Sequence, residues 1–133
     1  MKTLKQTMIF NTGSDELYDI LINPRKLGKV TGGKTTNTQK EGGKFSNYDD
    51  YIQGTNVTLV PGKKIVQKWT CADFPFNHFT EVTIELKKKG DKQTELVLEQ
   101  KNIPDEFYED MTLGWDEFYW EPIKDYLEDL MWK

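Results

Sequence analysis

Cysteine and histidine are almost missing from this 133-residue chain; Cys71 and His78 are the single instances of each. One cysteine cannot close an internal disulfide or supply a cysteine metal cluster, and one histidine cannot build a histidine cage around a metal. No stretch approaches the roughly 20 apolar residues of a membrane span. The opening Met1-Lys2-Thr3-Leu4-Lys5-Gln6 is charged but lacks the apolar run of a signal peptide. Base is short relative to acid. Eighteen Lys and Arg stand against 22 Asp and Glu, a formal charge of −4, which argues against a nucleic-acid footprint because that needs a basic face. Hydrophobic residues at 36% and charged ones at 30% are ordinary soluble-globular values, and this length suits one domain able to bury a core. The expectation is a reduced, cytoplasmic monomer forming a single domain over 1–133, with no cofactor and no metal.

What is present is unevenly placed. From Asp105 to Lys133 there are ten acids against Lys124 and Lys133, a local charge of −8, while the preceding 104 residues carry +4. The same segment holds eight of the 17 aromatics: Phe107, Tyr108, Trp115, Phe118, Tyr119, Trp120, Tyr126 and Trp132.

Residues 3–11 read as a first strand, and Asn11-Thr12-Gly13-Ser14 as a turn with Ser14 as N-cap of a short helix. Asn23-Pro24 ends that helix, and Pro24 to Leu27 begins a second helical turn. Residues 28–43, rich in Gly, Lys and Thr, read as loop and polar edge strand. Strands follow at Lys44–Tyr48, Tyr51–Val60, Ile65–Thr70, Phe79–Lys89 and Thr94–Gln100, with Asp49-Asp50, Pro61-Gly62-Lys63 and Lys89-Gly90-Asp91-Lys92 as turns. Val82, Ile84 and Leu86 alternate with Glu81, Thr83 and Glu85, so one face of an antiparallel meander is buried. Asn102-Ile103-Pro104-Asp105 then opens a final helix. At 100° per residue Tyr108, Met111, Trp115, Phe118, Tyr119, Ile123, Tyr126 and Leu130 share one face, flanked by Leu113, Trp120, Leu127 and Met131. That apolar arc is wider than a helix on a flat layer needs, so a curved sheet gripping the helix is expected, its acidic back in water. Pro122 should kink it near the middle.

Gly28-Lys29-Val30-Thr31-Gly32-Gly33-Lys34-Thr35 matches a phosphate-binding loop in letters. Such a loop needs a buried strand before it and a helix after it, and neither is predicted here, so no nucleotide site is assigned. His78 and Cys71 have no partner in sequence that would make a nucleophile–base pair; a structural or loop-capping histidine and a small buried thiol are expected. A helix laid across a curved sheet can leave an apolar gap where small ligands lodge. Trp69, Trp115 and Tyr119 are the candidates to line it; no catalytic residue is assigned.

Several stretches carry a family likeness. They are Glu16-Leu17-Tyr18, Gly42-Gly43-Lys44-Phe45, Ile52-Gln53-Gly54, the run Leu59-Val60-Pro61-Gly62-Lys63-Lys64-Ile65-Val66-Gln67-Lys68-Trp69, His78-Phe79, Thr94-Glu95-Leu96, Ile103-Pro104, and Gly114-Trp115 followed by Tyr119 and Ile123-Lys124. In this order and spacing the chain resembles the C-terminal domain of Aha-type activators of the heat-shock protein 90 ATPase, within the SRPBCC superfamily that includes START and birch-pollen-allergen-like proteins. The resemblance implies an α+β helix-grip fold: a curved antiparallel sheet wrapped around a long C-terminal helix, with two short helices after the first strand. It further implies a non-enzymatic binding module, with a heat-shock protein 90-type chaperone as possible partner. The alternative reading is a carrier or sensor of a small apolar ligand held between sheet and helix. A cyclase or hydrolase, as some superfamily members are, comes third.

Overall fold

The computed structural model describes residues 1–131. Strand β1 (Lys2–Phe10) is followed by helices α1 (Ser14–Ile22) and α2 (Pro24–Thr31), then by β2 (Thr36–Asn37), β3 (Lys44–Asn47), β4 (Ile52–Val60), β5 (Lys64–Cys71), β6 (Thr80–Gly90) and β7 (Gln93–Ile103). A single 3-10 turn at Asp105–Phe107 leads into α3 (Tyr108–Trp115), a π-helical turn (Asp116–Trp120) and α4 (Glu121–Met131), which run on from one another. The seven strands form one open antiparallel sheet in the order β1-β7-β6-β5-β4-β3-β2. This is the α+β helix-grip arrangement, a curved sheet holding the C-terminal helical segment.

Alternation sets which side of the sheet is inward. On β6 Val82, Ile84 and Leu86 are buried, and on β7 Thr94, Leu96, Leu98 and Gln100. The pairing of β6 with β7 places Ile84 opposite Leu98 and Leu86 opposite Leu96, so the hydrophobic rows coincide. Leu17, Ile20 and Leu21 of α1 and Ile123 and Leu127 of α4 close over this face.

Three local features differ from the sequence reading. Ser14 is the first helical residue of α1, and Gly13 takes the cap position with no side-chain cap bond. The cause is tertiary. Thr94 Oγ1 donates to Thr12 O at 2.8 Å, and a Cβ on Gly13 would lie 3.0 Å from Asp91 O, so the turn is pressed against the β6–β7 hairpin. Second, α2 extends to Thr31, through residues read as loop. Asn23 accepts from Arg25 N at 3.0 Å, Pro24 stands in the first turn, Leu27 is buried, and Gly32 closes the helix at φ 78°. Third, the apolar stripe of the last helix does not stay on one face. Met111, Trp115, Tyr119, Trp120, Ile123 and Leu127 are buried, whereas Leu113, Phe118 and Leu130 are exposed. The π turn holds one extra residue per turn, which offsets the two helical halves and takes Phe118 out of the buried set. Met131 belonged to the predicted flanking row; its side chain, like Trp132, lies outside what is described.

Candidate functional site

Trp69 on β5, Trp115 at the end of α3 and Tyr119 in the π turn are brought together. Ring centroids lie 5.6 Å apart for Trp69–Trp115 and 4.7 Å for Trp115–Tyr119, and Trp120 stacks on Trp115 at 5.4 Å. All are buried. The polar atoms of Trp115, Tyr119 and Trp120 each have a partner. Trp115 Nε1 donates to Gln100 Oε1 at 2.8 Å, Gln100 Nε2 donates to Thr80 Oγ1 at 3.0 Å, and Thr80 Oγ1 donates to Trp69 O at 2.9 Å. Asn47 Nδ2 donates to Tyr119 OH at 2.9 Å, and Trp120 Nε1 donates to Gln6 Oε1 at 2.7 Å. Burial drives the Tyr119 phenol well above its ordinary range.

Between helix and sheet the remaining gap measures about 20 Å³, bordered by Asn47, Ile65, Gln67, Trp69, Trp115 and Tyr119 among others. That is room for about one water molecule. Its polar lining is also internally bonded, with Gln67 Nε2 donating to Asn56 Oδ1 at 3.1 Å and Asn56 Nδ2 to Asn37 Oδ1 at 2.9 Å. On the outer side of the same three residues lies a larger recess, a cleft of about 300 Å³ open to solvent. One wall is the α3–π-turn segment with Asp110, Met111, Leu113, Gly114, Glu117 and Phe118. The other is Tyr51, Ile52 and Asp73, with Phe107 at the end. Trp69, Trp115 and Tyr119 form its floor.

Pro122 and Tyr48 shape the cleft wall. Pro122 has no N–H for the carbonyl of Phe118, four residues earlier, and its ring crowds that carbonyl. The helix responds with the wide turn, in which Glu121 N bonds Asp116 O. Tyr48 OH supplies a replacement, donating to Phe118 O at 2.5 Å while its ring meets Phe118 and Tyr119 edge-on at 5.5 and 6.2 Å. Tyr48, Asp49 and Asp50 are all left-handed, at φ 52°, 56° and 70°. This turn of adjacent acids is tied by Asp49 N to Lys34 O at 3.0 Å and by Ser46 Oγ to Asp50 Oδ1 at 2.6 Å. Sequence inspection assigned the Asp49-Asp50 turn and missed Tyr48 beside it; a tyrosine next to a tight turn carries no periodic signal. Gln100 was legible in principle, since it follows Leu96 and Leu98 on the inward register.

The remaining reactive groups are occupied. Cys71 is buried and its thiol is pushed up chiefly by that burial. Tyr51 is partly exposed, yet partial desolvation of its hydroxyl and then its bond to Asp73 raise it well above the ordinary range. His78 Nε2 donates to Asn102 O at 2.8 Å, the loop-capping use expected. The phosphate-loop letters close a helix rather than open one: Gly28 to Thr31 are the last turn of α2, and β2 follows. Among the described residues no group of three or more His, Cys, Asp or Glu is placed to hold a metal, and no helix is long and apolar enough to cross a membrane.

A family model described as Activator of Hsp90 ATPase homolog 1-like protein matches residues 11–128. The sequence is 37% identical over 123 residues to an activator of 90 kDa heat shock protein ATPase homolog of Dictyostelium discoideum, covering 92% of this chain and 32% of that protein. It is 35% identical over 122 residues to homolog 1 of Homo sapiens, covering 92% and 35% respectively. The chain thus spans about a third of the length of the curated relatives it matches. An HSP90 activator from Plasmodium falciparum superposes with a TM-score of 0.88 over 96% of this chain and 97% of that one, at 24% identity. The Aha1 dimer structure from Colwellia psychrerythraea gives 0.80 over 96% and 97%, at 17% identity. At these identities the structures share the fold, and the likeness goes no further.

Proposed function

The chain belongs to the Activator of Hsp90 ATPase homolog 1-like family, and from that premise we propose that it is a binding module, without catalysis of its own, for a heat-shock protein 90-type chaperone. The observation that carries this reading is the match over residues 11–128, together with relatives named for activating that ATPase at 35 to 37% identity. The chemistry of the chain agrees. The thiol of Cys71 is buried and pushed up by that burial, away from the thiolate a nucleophile needs, and the ring of His78 is engaged by a backbone carbonyl. With the interior gap near one water in size, surface recognition is the use that the fold leaves open. A module of this kind shifts a chaperone's conformational equilibrium only if it binds one state more tightly than another. The test is the ATPase rate of the cognate chaperone as this chain is added. A saturable rise supports the reading, and an unchanged rate with no saturable binding at micromolar concentrations ends it.

The space between sheet and helix, with about 20 Å³ left, is too small for the apolar ligand expected there. A second reading survives only if such a ligand sits instead in the outer cleft of about 300 Å³ that Trp69, Trp115 and Tyr119 also line, near the lower limit of small-molecule sites at about 300 Å³. Saturable quenching of tryptophan fluorescence by an apolar probe would support it; a linear response would count against it.

A further inference from the structure

The cleft beside α3 combines two features that point to one kind of occupant. Its mouth is apolar. Leu113 on its wall is 65% exposed, and Phe118 and Tyr51, which also line it, are exposed. Large apolar side chains gathered around a recess mark an interaction surface more than scattered surface hydrophobes do. Its charge is of one sign. The charged residues lining it are Asp73, Asp110 and Glu117, all exposed, and no lysine, arginine or histidine lines it. None of the three acids enters an ion pair among the described residues. The acids stand at the rim, while Trp69, Trp115 and Tyr119 make an apolar floor.

We propose that this cleft is the docking site of a protein segment in which an apolar anchor residue is flanked by lysine or arginine, the anchor entering the recess and the flanks meeting Asp73, Asp110 and Glu117. The proposal deepens the chaperone-binding reading and rests on it for the class of partner. Charge decides the occupant. An anionic ligand or a nucleic acid meets three like charges, and a neutral apolar molecule leaves the rim unused. A basic flank gains from all three and is steered to the cleft before contact. The π turn belongs to the design of the site, because it removes Phe118 from the buried row and sets it on the cleft wall.

The test is a titration of the isotope-labelled full chain, read by amide chemical shifts, with two short synthetic peptides and with the cognate chaperone. Both peptides have a Leu-Trp-Leu core; one is flanked by Lys and Arg, the other by Glu. The basic peptide is expected to shift Asp73, Asp110, Leu113, Gly114, Glu117 and Phe118, with affinity falling as salt is raised, and the acidic peptide to shift nothing. Leu113→Ser, at an exposed position, and the double variant Asp110→Lys/Glu117→Lys should each weaken the basic peptide about tenfold, with unfolding curves unchanged. Equal binding of the two peptides, a free apolar probe reproducing the same shifts, or wild-type affinity in both variants overturns the proposal. Chaperone binding that shifts residues away from the cleft overturns the docking site and leaves the chaperone reading standing. Peptide binding at the cleft without any chaperone response supports the docking site and overturns the chaperone reading.

Discussion

Replacing Tyr48 by Phe removes one oxygen and tests why the last helix widens where it does. The Tyr48 hydroxyl serves Phe118 O, the carbonyl that Pro122 leaves without an N–H donor. Tyr48 is half-buried and Phe118 is exposed, so water can reach the freed carbonyl in part. The loss is then that of an ordinary hydrogen bond, about 1 kcal/mol, and not the full penalty of a sealed, unpaired group. For a chain of this length that corresponds to a Tm lowered by about 3–5 °C. The ring survives in phenylalanine, so its edge-on packing against Phe118 and Tyr119 is kept. Urea unfolding followed by tryptophan fluorescence reads the change as a lower midpoint at constant slope. The decisive comparison is the same substitution in a Pro122→Ala background. Alanine restores an N–H at position 122, so Tyr48→Phe should cost less there, by about 0.5 kcal/mol or more. An equal cost in both backgrounds would refute the link between Tyr48 and Pro122, and no cost in the parent would refute the value given to the bond.

Gln100→Met keeps the side chain's length and removes its amide, leaving Trp115 Nε1–H without its acceptor inside the core. An orphaned buried donor costs about 1–3 kcal/mol, so unfolding at distinctly lower urea is expected, and a neutral result would contradict the role given to this network. Alkaline pH acts through the tyrosines. Tyr18, Tyr48, Tyr51 and Tyr119 are all raised, each chiefly by desolvation, full for Tyr119 and partial for the other three. In the unfolded chain they ionise near pH 10. Their contribution to stability is therefore fully present below about pH 10 and is lost as pH climbs from there through the folded values. Phenolate absorbance should lag in the native protein and appear with unfolding; ionisation of all six tyrosines near pH 10 without unfolding would contradict this.

The strands were legible because alternation records which side of a sheet is wet: Val82 and Ile84 alternate with Glu81, Thr83 and Glu85, and Leu96 and Leu98 stand between Glu95 and Glu99 with Val97 as the one apolar outward residue. The last helix was legible as an element and less so in its faces. A period of 100° per residue puts Phe118 with Trp115, and only the widened turn ahead of Pro122 separates them. Proline signalled a disturbance, while its form depended on Tyr48, some 70 residues away in sequence, reaching the freed carbonyl. Trp69, Trp115 and Tyr119, chosen as candidates to line a gap, pack against one another. Whether a gap survives beside them depends on how Gln100, Asn47 and Thr80 fill and bond that space, and packing of that kind leaves no trace in periodicity. The cleft wall at Tyr51 and Asp73 comes from turns flanking β4 and β5, joined to the helix only by the fold.

A binding module for a heat-shock protein 90-type chaperone is tested by calorimetric titration of this chain into the cognate chaperone, once without nucleotide and once held by a non-hydrolysable ATP analogue. Saturable binding is expected in both, with affinities that differ between the two states, since only such a difference can shift the equilibrium. Equal affinity for the two states would leave a binder that cannot activate, and no saturable heat in either would rule out chaperone binding by this chain.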